Sequence, residues 1–114
     1  MQVIFLTGNL TKDAVLKSTT TQGIKREFVS FGLAVNEVRG DERSTTFYDV
    51  TMTRTGVMEY LKQGTKVNIL GRYFFTMTPD KEGKLYPHHN VRVYELELAD
   101  SKKAKEGEEP IPGA

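Results

Sequence analysis

Apolar side chains return at every second position through most of the first hundred residues, and this alternation constrains the fold more than anything else in the chain. A period of two sends successive side chains to opposite faces, the mark of a half-buried strand. Over residues 28–38, Val29, Phe31, Leu33 and Val35 fall on one side, against Phe28, Ser30, Gly32, Ala34 and Asn36. Over residues 46–54, Tyr48, Val50 and Met52 oppose Phe47, Asp49, Thr51 and Thr53. Over residues 66–78, Val67, Ile69, Gly71, Tyr73 and Phe75 oppose Asn68, Leu70, Arg72, Phe74 and Thr76. Residues 2–10 bring Ile4, Leu6 and Leu10 together, with Gly8 as a bend or bulge position. A last strand spans about residues 86–98. Its inward parity passes from Val91 and Val93 to Leu96 and Leu98, which predicts a bulge near Tyr94-Glu95.

Turn chemistry separates these runs. Residues 18–23 read as a turn-rich link, residues 39–45 as a polar hairpin loop around Gly40-Asp41, and residues 79–84 as a turn carrying Pro79-Asp80 and Gly83. The period changes once. Thr55 can cap a short helix over residues 56–63, with Val57, Met58 and Leu61 as its buried stripe and Gly64 as its stop. The expected order is three strands, a short helix, then two strands. An all-β chain of five strands with one helix between the third and fourth is the layout of the OB-fold, a small Greek-key barrel.

Composition sets outer bounds. The chain has 114 residues, enough for one domain with a real core. There is no cysteine, which excludes disulfides, thiol nucleophiles and thiolate metal sites, and which suits a cytoplasmic location. No apolar run approaches the roughly 18 residues of a membrane span, and no signal-peptide pattern opens the chain. Sixteen Lys and Arg against fifteen Asp and Glu leave a net charge of +1, so charge alone names no partner. Residues 101–114 contain no aromatic residue and one large aliphatic, Ile111, and are expected to form a disordered tail behind a domain of residues 1–100.

The sheet face opposite the core is where function is expected. If Tyr48, Val50 and Met52 point inward, Phe47 points outward, and by the same parity Phe74 and Arg72 emerge from the next long strand. Exposed rings flanked by cations suit single-stranded nucleic acid, because bases stack on rings and Lys or Arg neutralises phosphate. The same rings could instead pack at a protein interface. Candidate cations are Lys12, Lys17, Lys25, Arg39, Arg43, Arg54, Arg72, Lys84 and Arg92. Asp49 shares the outward face with Phe47 and would repel phosphate. His88 and His89 are strand neighbours that point to opposite faces, so they cannot easily share a metal. Neither a nucleophile elbow nor a phosphate-cradling glycine loop occurs, so no enzyme, metal or cofactor is expected.

Several strings line up in order along residues 1–100. They are VIFLTGNLTKDAVLK, FGLAVNE from Phe31, FYDVTMTR from Phe47, and EYLKQGTKVNILGR from Glu59. Together they resemble the bacterial single-stranded DNA-binding protein family. The resemblance implies an OB-fold that binds single-stranded DNA with little sequence preference in replication, repair or recombination, usually as a homotetramer, in the bacterial cytoplasm and on the nucleoid. It places Phe47 at a main stacking position, and Lys17 and Arg72 at basic or polar positions of the binding surface. Thr53, Thr78 and Arg39 stand where many members have stacking aromatics, and Asp49 where a basic or amide residue is common. Phe74 and Tyr86 are the expected substitute rings. Family tails recruit replication and repair proteins through an acidic end. Here Glu108-Glu109-Pro110-Ile111-Pro112 echoes that end, with Gly113-Ala114 following in place of a terminal aromatic. The near-neutral charge, Asp49 and the missing rings leave a rival expectation: an OB-fold protein-interaction module of the primosome-accessory type.

Overall fold

The computed structural model describes residues 1–99; Asp100 and the tail expected over residues 101–114 lie outside the described residues. Six strands follow in order: β1 (Gln2–Leu10), β2 (Val15–Thr21), β3 (Ile24–Arg39), β4 (Glu42–Met52), β5 (Lys66–Pro79) and β6 (Leu85–Leu98). They form one sheet ordered β1-β5-β6-β4-β3-β2, and β1 also pairs with β3 at Asn9 and Leu10. That second pairing closes β1, β3, β4, β6 and β5 into a barrel. The β4–β6 pairing is parallel and all the others are antiparallel. This is the OB-fold barrel, with β2 added outside it along β3.

The extra strand corrects the reading of residues 18–23 as a link. Ser18 to Thr21 supply hydroxyl and β-branched side chains that suit a strand, and they pair with Lys25 to Glu27 and Ile24 of β3. Only Gln22-Gly23 turns. Both have positive φ, 53° and 79°, as a two-residue hairpin of primed type demands.

Alternation built the core as the sequence implied. Leu6, Leu10, Val29, Phe31, Leu33, Val50, Met52, Val67, Ile69, Val91 and Val93 are all buried. Among the described residues no polar or charged side chain is buried with them. The expected bulge is present: Leu70 faces Glu95 while Gly71 faces Val93, which leaves Tyr94 as the extra residue. Gly8 closes the barrel, since a Cβ there would stand 2.5 Å from the Ala34 carbonyl oxygen.

The helix expected over residues 56–63 is a single 3₁₀ turn, Met58–Tyr60. Eight residues are too few to hold an α-helix without help, and this segment finds better partners across the barrel end. The Ala14 amide donates to the Leu61 carbonyl at 2.9 Å, Gly64 donates to Leu10 at 2.8 Å, and Gln63 donates to the Asp13 carboxylate at 2.8 Å. Leu61 is buried completely as a plug, with Val57 and Met58 packed against the core. The stripe survives although the helix does not.

Two hairpins extend past the barrel, so core-face parity there no longer means burial. Phe75 lies on the inward side of β5 but is 51% exposed. Tyr48, Tyr73, Phe75 and His89 gather on that side, and the Tyr73 hydroxyl lies 2.6 Å from Nδ1 of His89. Burial, with the neighbouring Tyr73 and Glu37, pushes the Tyr48 hydroxyl above its ordinary pKa.

Candidate nucleic-acid interface

The outward face of β3, β4, β6 and β5 is organised in rows, because strand partners share a face. One row runs Ser30, Thr51, Arg92, Arg72 and reaches Val3 on β1. The next runs Gly32, Asp49, Asn90, Phe74. Two residues further along β4, Phe47 stands opposite Ala34. Along β6, His88 faces Thr76 and Tyr86 faces Thr78.

Phe47 is 63% exposed and Phe74 is 37% exposed. Ala34, the partner of Phe47 on β3, is too small to cover its ring. The Phe74 ring has a cation beside it, with the Arg72 guanidinium carbon 5.7 Å from its centroid. Lys84 stands similarly to Tyr86, at 5.9 Å. Arg72 and Arg92 face each other directly across β5 and β6, concentrating positive charge in one row.

Hydrogen bonds fix the floor between the rings. Asn90 donates from Nδ2 to Thr76 Oγ1 at 2.9 Å and to the Phe74 carbonyl at 3.3 Å. His88 bridges two strands: Nδ1 lies 3.1 Å from the Asp49 carboxylate, and Nε2 lies 2.8 Å from Thr78 Oγ1. Asp49 therefore has a partner of its own on the outward face. The tip of the β5–β6 hairpin is held by Asp80, whose carboxylate accepts the amides of Glu82 and Lys84 at 2.8 Å each. Those amides, the Lys84 one foremost, hold its carboxyl below the ordinary aspartate pKa.

The sequence-derived candidates divide by position. Phe47, Phe74, Arg72 and Tyr86 come together on the outward face with Arg92, and Lys84 joins them at the hairpin tip. Lys17 pairs with Phe28 and so extends the same face onto β2. Lys12 follows Thr11, whose hydroxyl covers the outward side of Gly32, so its loop borders the face. Arg43 pairs with Val38 and shares the parity of Phe47 far out on the β3–β4 hairpin. Lys25 and Arg39 have the opposite parity, paired with Thr20 and Glu42. Arg54 lies past the end of β4 with no strand partner. Arg26, absent from the candidates, pairs with Thr19 beside Lys17 on the outward side; its parity with Phe28 is the signal that could find it. His88, weighed above only as a metal ligand, also belongs to this face, and the run Tyr86, His88, Asn90, Arg92 already sets it outward. Among the described residues, no three His, Cys, Asp or Glu side chains gather in a metal-holding group.

The fold and this face define an OB-fold protein with rings and cations on one open sheet. The chain belongs to the single-strand binding protein family, whose model matches residues 1–100. It is 31% identical over 114 residues to the single-stranded DNA-binding protein of Wolinella succinogenes, covering 91% of this chain and 67% of that one. The fold is similar to the small single-stranded DNA-binding protein of Streptomyces coelicolor, with a TM-score of 0.66 and 20% identity over 85% of this chain and 93% of that one. It is similar also to the Plasmodium falciparum SSB in complex with ssDNA, with a TM-score of 0.67 and 17% identity over 88% and 96% of the two chains.

Proposed function

We propose that this chain binds single-stranded DNA across the outward face of β3, β4, β6 and β5. Bases stack on Phe47 and Phe74, while Arg72 and Arg92, with Lys17 at the edge, neutralise phosphates. The observation that carries this reading is the placement of two exposed rings on one open sheet face, beside a row in which two arginines stand opposite each other. Base stacking is tolerant of sequence because every base has a π-face, so binding has little sequence preference. A duplex keeps its bases stacked inside and offers the rings nothing.

Chemistry on the strand needs no part in this function; coating it is enough. In the cell, such binding protects exposed strand during replication, repair or recombination in the cytoplasm, on the nucleoid. Assembly as a homotetramer would place several such faces along one strand. Replication and repair proteins are the partners the tail would recruit.

The test is a titration of a labelled oligo-dT strand and of a duplex of matched length, followed by fluorescence anisotropy. Binding to the single strand in preference to the duplex supports the reading. Equal binding to both, or to neither, overturns it.

A further inference from the structure

Asp49 places a carboxylate on the outward face, in register with Asn90 and two residues from Phe47. It shares a row with Phe74 through Asn90, so its charge would repel a phosphate brought to the rings. His88 is the group that meets this charge, with Nδ1 3.1 Å from Oδ2 of Asp49 and Nε2 2.8 Å from the Thr78 hydroxyl. Both side chains reach solvent, His88 at 36% and Asp49 at 62% exposure.

We propose that His88 makes single-strand binding proton-linked: its protonated ring cancels the Asp49 carboxylate, and the proton is taken up together with the strand. The inference rests on the outward face being the binding face.

The partners on the two ring nitrogens permit this without rearrangement. A carboxylate only accepts, so Nδ1 carries a hydrogen in either charge state. Nε2 is then the nitrogen that gains or loses the proton. Its partner is a hydroxyl, which donates to the neutral ring and accepts from the charged one. Imidazole is the side chain suited to change charge between about pH 5 and pH 8.

The surroundings leave Asp49 as the charge that His88 answers. From β4, Asp49 faces it beside the uncharged Phe47; from β5, Thr76 and Thr78 face it, and neither titrates. Along β6 the ionisable groups of the same face are Tyr86, with Lys84 beside its ring, Arg92 beyond Asn90 and, past the bulge and farther from His88, Glu95 and Glu97. His89 is turned to the other face, against Tyr73. A phosphate arriving on the face adds negative charge near the ring and favours its protonated form. By reciprocity, protonation favours the strand by the same factor. Affinity therefore rises as the ring takes up its proton.

The experiment measures anisotropy of labelled oligo-dT at fixed ionic strength, near pH 8 and near pH 6, with the wild-type chain, His88→Gln and Asp49→Asn. A companion calorimetric titration in two buffers of different ionisation enthalpy counts protons taken up. The wild type binds about three- to tenfold more tightly at the lower pH, the scale expected of one charge a few ångströms away in a wet surface. It also takes up protons. His88→Gln keeps the weaker affinity at both pH values and takes up none, and Asp49→Asn binds tightly at both. Binding of the wild type that ignores pH overturns the inference and leaves the binding face standing. An equal gain in His88→Gln overturns it as well. Absence of binding at both pH values overturns both.

Discussion

The Arg72 guanidinium lies 5.7 Å from the centre of the Phe74 ring, and both side chains emerge on the outward face of β5. A base stacked on that ring would carry its phosphate close to the arginine, so stacking and neutralisation meet at one point on the strand. Phe47, from β4, offers the second ring.

Replacing either ring with alanine should weaken single-strand binding by roughly 1–3 kcal/mol. Thermal stability should hardly move for the Phe47 variant, whose ring is 63% exposed, and should fall further for the Phe74 variant, whose ring is 37% exposed. Anisotropy with oligo-dT, read beside a melting curve, checks both halves. Unchanged affinity in both variants removes stacking from the mechanism.

Arg72→Ala and Arg92→Ala should each flatten the salt dependence. For single strands, removing one arginine–phosphate ion pair lowers the slope of log affinity against log salt by about 0.7. An arginine whose replacement leaves that slope unchanged does not pair with a phosphate.

Gly8→Ala should destabilise the barrel where β1 meets β3. The added Cβ would meet the Ala34 carbonyl at 2.5 Å and the Leu33 side chain at 3.1 Å. Backbone must shift where β1 meets β3, at a cost of about 1–3 kcal/mol, the usual scale of overpacking. A denaturant melt measures it; a variant as stable as the parent would show that β1 closes the barrel with slack.

The β5–β6 turn should loosen in acid. The Asp80 carboxyl is held below the ordinary aspartate pKa by the amides of Lys84 and Glu82. Its contribution to the fold is therefore complete above the ordinary value and disappears as pH falls through the lowered one. Hydrogen exchange at Glu82 and Lys84 should accelerate over that acidic window, and Asp80→Asn should show less of this dependence. Exchange that ignores pH there, beyond its intrinsic chemistry, would contradict the assignment.

Much of this architecture is legible in the sequence because alternation is a direct report of which face is wet. Val29 to Val35, Val50 with Met52, and Val67 with Ile69 all go to the side their parity indicates. Even the bulge at Tyr94 can be read from a slip in parity. Local signals fail where long-range partners decide. Residues 18–21 have no apolar stripe, and only pairing to β3 makes them a strand. Leu61 is recognisable as buried, yet its carbonyl is taken by Ala14, which no local pattern announces. The candidate interface is legible in part for the same reason. Parity places Phe47, Phe74 and Arg72 outward, but the meeting of Asp49 with His88 depends on a parallel pairing that joins residues thirty-nine positions apart.

The central claim, that the strand lies on the outward face, is tested most directly by photo-crosslinking. Oligo-dT would be crosslinked to the full chain by ultraviolet light and the modified peptides identified by mass spectrometry. The account predicts adducts at Phe47 and Phe74, with Tyr86 beside Lys84 as a further site. Adducts confined to Tyr48, Tyr73 and Phe75, on the opposite side of the same strands, would contradict it.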